Sequence, residues 1–113
     1  MKKKILKNRF PQEVFAEWID WHSCHICGQN TWDCLHHIIS PTNDCYIKGD
    51  HNRSIYNSAP LCNNKCHLYN PDLPRKWKTI ELLKKTKEAM EKMGYEKNER
   101  DKKFLEIYKD LYE

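Results

Sequence analysis

Two histidines in succession, His36-His37, a later asparagine, Asn57, and a third histidine, His67, lie between two close-spaced cysteine pairs, Cys24-x2-Cys27 and Cys62-x3-Cys66. Thiolates are soft metal ligands, imidazoles serve as ligands or as acid/base groups near neutral pH, and a primary amide can donate and accept at once. Four thiolates arriving as two pairs suit the tetrahedral preference of structural Zn²⁺, and a site closed by four sulfurs leaves no position for substrate. The expected role of that zinc is mechanical: it ties a turn before one strand to the segment after the next. Cys34 and Cys45 fall outside the pairs and read as free thiols, the competing idea being that one of them replaces a paired cysteine in the zinc shell. His22, His25 and His51 lack such company and read as ordinary surface or core residues.

These side chains need a frame, and the chain has little apolar material with which to build one. Its 113 residues are 39% hydrophobic with a mean hydropathy of -0.95, so a small core stapled by a metal is the economical solution. The start, Met1-Lys2-Lys3-Lys4-Ile5-Leu6-Lys7, is not an apolar secretory signal, and no stretch approaches membrane-spanning length. The expectation is a soluble, intracellular (cytoplasmic) protein without membrane association, in which paired thiols hold metal rather than disulfides. The formal charge of +4 is uneven. Residues 1–22 carry five Lys/Arg against three acids, residues 23–72 three against four, and residues 73–113 twelve against nine. Attraction for a polyanion therefore comes from the flanks.

Along the chain, Pro11 followed by Val14, Phe15, Trp18, Ile19 and Trp21 predicts an amphipathic helix over 11–22. A zinc knuckle at Cys24–Gly28 leads into a strand over Cys34–Ile39. Residues 42–53 are turn-rich and polar, residues 57–61 form the return strand, and residues 62–69 begin a short helix carrying His67 that Pro71 and Pro74 end. Trp77, Ile80, Leu83 and Met90 then recur at helical spacing up to Gly94, and Asn98 with Asp101 caps a final helix striped by Phe104, Leu105, Ile107, Tyr108, Leu111 and Tyr112. Trp77 and its companions are expected to pack against the N-terminal helix. The last stripe packs likewise or forms a homodimer contact.

In order and spacing, His36-His37, Asn57 and His67, with a cysteine pair on each side, resemble the zinc-bearing branch of the HNH endonuclease family. The likeness covers roughly Cys24 to Asn70. It implies an α+β fold: a small ββα-metal core with a structural four-cysteine zinc site, flanked by N- and C-terminal helices. The organisation expected is a single domain over 1–113, with a basic segment and helix at 1–22, the HNH core at 23–72 and helices at 73–113. It implies further that His37 is the general base, that His36 and His67 hold one divalent ion, Mg²⁺ or Mn²⁺, a transition metal being compatible with imidazole, and that Asn57 pins the loop positioning the base. Some relatives carry another ligand four residues past the final histidine, where this chain has Pro71, so Asn70 is the candidate in its place. Chemistry supports the division of labour, because neighbouring side chains on a strand face opposite ways and hydrolysis needs a base on one side of phosphorus and charge stabilisation on the other.

The expected activity is metal-dependent hydrolysis of DNA phosphodiester bonds. Lys2, Lys3, Lys4, Arg53, Arg75, Lys76 and Lys78 are the candidate contacts to nucleic acid. Two alternatives stand beside it: a non-catalytic zinc-stapled module binding nucleic acid or protein, and a structure-selective nuclease acting on branched DNA.

Overall fold

The computed structural model describes residues 10–28, 31–62, 67 and 70–113. Lys2, Lys3, Lys4, Cys66 and nearly all of the helix expected at 62–69 lie outside them. The architecture is α+β: helix α1 (Gln12–Glu17), strand β1 (Cys34–His37), strand β2 (Ser58–Leu61), helix α2 (Lys76–Lys92) and helix α3 (Glu99–Ile107), with single 3₁₀ turns at Asp50–Arg53, Ile55–Asn57 and Lys109–Tyr112. Among the described residues, no helix is long and apolar enough to cross a membrane.

The two strands pair antiparallel, Cys34 opposite Leu61 and His37 opposite Ser58. Each is shorter than the strand expected from the sequence, 34–39 and 57–61. The ladder stops at His37 because a side chain takes over from the backbone: Ile39 N donates to Asn57 Oδ1 (2.7 Å), and Asn57 Nδ2 donates back to Ile39 O (3.0 Å). Ile38 and Ile39 are nonetheless fully buried. Pro60 sits within β2 without an N–H, and its carbonyl accepts from His25 N at 2.9 Å, joining the knuckle to the strand edge.

Helix α1 ends at Glu17, five residues before the expected boundary. So short a helix has little stability of its own, and tertiary contacts decide where it stops. Trp18 is wholly buried and gives its indole N–H to Ser58 Oγ (2.7 Å), Trp21 and His25 pack edge-on against it, and Ile19 is left 72% exposed.

Helix α2 lays Thr79, Leu82, Leu83, Thr86, Ala89 and Met90 on the core, and Thr86 Oγ1 donates to Ser58 O (2.7 Å). The expectation that Trp77 packs inward is corrected: it is 54% exposed, because the centre of the buried face runs through Thr79 and Thr86, half a turn away. Gly94 closes the helix in the left-handed region (φ 69°), with Tyr95 N bonded to Met90 O. A reciprocal capping box of Asn98 and Asp101 opens α3. Asp101 is buried and also accepts from Ser54 Oγ (2.6 Å) and Tyr95 OH (2.5 Å). Phe104 and Tyr108 face the core, while Leu105, Leu111 and Tyr112 are half-buried against it.

Candidate metal centre and histidine site

The sulfur cluster is built from the knuckle and the end of β2. Gly28, at φ 71°, turns the chain so that its N–H bonds Cys24 O (2.9 Å), and Ile26 N donates to Cys24 Sγ (3.3 Å). The ligand atoms of Cys24, Cys27 and Cys62 all lie within 4.8 Å of one another, and Cys27 and Cys62 Sγ are 4.0 Å apart. Tetrahedral zinc with bonds of about 2.3 Å spaces its sulfurs about 3.8 Å apart, so the three cysteines fit such an ion. Cys34 Sγ donates to Leu61 O (3.4 Å). Burial first, then the charge of Asp33 and the nearby sulfurs of Cys24 and Cys62, pushes its thiol up to about 11. Cys45 is half-buried at the edge of the core.

Behind the knuckle stands His25, 6% exposed, edge-on to Trp18 (5.3 Å) and Trp21 (5.4 Å). Its carbonyl accepts from Lys85 Nζ (2.7 Å), so α2 braces the turn. Burial, aided by the positive charge of Lys85, lowers its pKa to about 4.

At the other end of the sheet, His36 and His37 face different neighbours. The His36 ring lies 5.2 Å from that of His67, at 65°. Two imidazoles sharing one cation through bonds of about 2.1 Å have ring centres roughly 4.5–5.3 Å apart. His67 Nδ1 is buried without a hydrogen-bond partner among the described residues, which suits a ligand nitrogen. Burial first, then the neighbouring His67 and His37, lowers His36 to about 4, leaving it neutral with a lone pair to give. The donor set therefore fits a divalent cation.

His37 stacks flat on Phe10, ring centres 3.8 Å apart and planes within 7°. Sequence reasoning missed Phe10, whose only signal was an aromatic residue directly before Pro11. Asn57 is wholly buried and touches neither histidine ring in its hydrogen bonding: beyond the two bonds to Ile39, its Nδ2 donates to Asn52 O (2.9 Å). Asn52 also went unnoticed. Its Nδ2 holds Ile47 O (2.8 Å) and its Oδ1 accepts from Tyr108 OH (2.8 Å), linking the loop of 43–53 to the C-terminal region. His51 is buried there, against Phe104 and Tyr108, and a side chain at Gly49 (φ 154°) would meet its ring at 2.6 Å.

Asn70 uses its Oδ1 to accept from Asp72 N (2.9 Å), shaping the turn before α2. Arg53 pairs with Asp50 (3.2 Å), which Arg100 also grips (2.9 Å); Arg75 pairs with Asp72 (3.5 Å) and Lys78 with Glu81 (2.8 Å), while Lys76 is exposed. Comparison with protein-family models, with curated proteins and with solved structures returns no match.

Proposed function

We propose that this chain is a metal-dependent DNA endonuclease of the HNH type, with His36 and His67 as cation ligands, His37 as general base and a four-cysteine zinc site, completed by Cys66, as the staple. The observation that carries the reading is the juxtaposition of the His36 and His67 rings, with an orphaned buried nitrogen, on a strand whose next residue, His37, turns to the other side. A divalent cation there supplies Lewis-acid stabilisation of charge on the scissile phosphate and the leaving oxygen.

The chain's own residues do the rest. His37 accepts a proton from the attacking water through a ring nitrogen, and the parallel face of Phe10 fixes the plane in which that nitrogen is presented. Asn57 is a positioning residue: by tying Ile39 and Asn52 together it sets where β1 ends and thus where both histidines point. Among the described residues its three side-chain hydrogen bonds are all to backbone groups, which leaves the chemistry to imidazole.

The test is a cleavage assay on plasmid DNA with a panel of divalent ions. The wild-type protein is expected to nick or cut with Mg²⁺ or Mn²⁺, and His37→Ala to lose about 10²–10⁴-fold in rate while keeping its zinc and its circular dichroism. Equal cleavage by His37→Ala sinks the assignment of the base, and no cleavage with any ion sinks the reading as a nuclease.

A further inference from the structure

Trp77 stands at the outermost position of α2, on the side opposite Leu82, Thr86 and Ala89, and a tryptophan 54% exposed there does nothing for the core. Its surroundings are basic. Arg75 and Lys76 are exposed beside it, Lys84 is exposed seven residues on along the same side, and Lys78 Nζ lies over the indole, 5.1 Å from its centre. The first turn of the helix carries no acid. Asp72 and Glu81 are the acids nearest in sequence, paired to Arg75 and Lys78; the Arg75–Asp72 pair is exposed and weakly held. Through its ion pair with Glu81, Lys78 is fixed against the ring, leaving the indole steadied yet open to solvent.

The patch sits at the N-terminal end of α2, which the turn at Asn70–Arg75 enters and the loop after β1 meets. Asn43 Nδ2 reaches Thr79 Oγ1 (3.4 Å), holding the loop after β1 to that end of the helix. A cavity of about 360 Å³ lined by Asn43, Asp44, Cys45, Pro74 and Lys76 opens between them.

We infer that Trp77 is a stacking platform for an unpaired base, with Arg75, Lys76 and Lys84 taking the adjoining phosphates, so that the strand entering the histidine site is single-stranded on this side. Bases in a duplex hide their faces in the stack, whereas an open strand offers every face to an indole, and such stacking tolerates any sequence. The inference deepens the nuclease reading and rests on it for the identity of the site, but it is tested by binding rather than cleavage.

Anisotropy of a labelled single strand of about 15 nucleotides and of its duplex would be measured with zinc-loaded, full-length protein and no added Mg²⁺ or Mn²⁺. Trp77→Ala is expected to weaken single-strand binding about tenfold and Trp77→Phe to restore most of it, with the duplex affected less than about twofold. An unchanged single-strand affinity overturns the inference, as does equal weakening for both nucleic acids or a self-association lost in Trp77→Ala, which would assign the patch to a second copy of the chain. If Trp77→Ala loses the single strand while the wild type cleaves nothing, the platform stands and the nuclease reading fails. If the wild type cleaves and Trp77→Ala binds as before, the reverse holds.

Discussion

The two ends of one short sheet are held in place by different means. Where Cys34 pairs with Leu61, the chain is gathered by sulfur: Cys24, Cys27 and Cys62 converge, Pro60 O takes His25 N, and Lys85 braces the turn from α2. Where His37 pairs with Ser58, the side-chain amide of Asn57 ties Ile39 to Asn52, and Trp18 and Thr86 hold Ser58. A metal held by these cysteines would make their end strong but closed. At the amide-held end the two imidazoles face different neighbours, His36 the ring of His67 and His37 that of Phe10.

The sharpest way to break this contrast is at the sulfur end. Cys24→Ser is expected to abolish zinc retention and the folded circular dichroism together, because structural zinc contributes on the order of 10 kcal/mol in small domains; a variant that kept its fold with no zinc would show that the apolar core suffices. Asn57→Ala should cost about 3 kcal/mol in urea unfolding, since two carbonyls and one N–H lose their partner in a buried place, while zinc content stays the same. Loss of zinc in that variant would mean the two ends are not separately held.

An effect of comparable size comes with pH, and His25 at one end shares it with His36 at the other. The folded-state pKa of His25 is depressed from 6.5 to about 4, so above pH 6.5 both states are neutral and the stability is fully present. As pH falls from 6.5 toward 4, the unfolded chain binds a proton that the folded one refuses, and up to roughly 3 kcal/mol is lost. His25→Phe should flatten the stability profile in that window relative to wild type. A profile of unchanged slope would show that the buried ring does not report on folding.

Local signals were legible where a single residue does a backbone job. Gly94, the Asn98–Asp101 box and the paired cysteines of the knuckle each stand where their types required. Phase was not legible. Trp77, Ile80, Leu83 and Met90 satisfy a helical period, yet the face is centred by Thr79 and Thr86, polar residues that an apolar count skips. Nor could pattern find Phe10 on His37 or Tyr108 on Asn52, because those partners are set by packing between segments far apart in sequence. For the histidine site, order along the chain pointed to the residues, and the fold brings His36 and His67 together; Asn70 was assigned from position alone, and its oxygen serves a turn.

Lys85 and Thr86, consecutive in α2, reach respectively to the carbonyl of His25 and to that of Ser58. One helix thus spans both halves of the motif from outside it. Anyone excising residues 23–72 for transplantation into another host would carry off the cysteines and histidines and leave the girder behind, and the smallest portable unit of this protein extends at least through Met90.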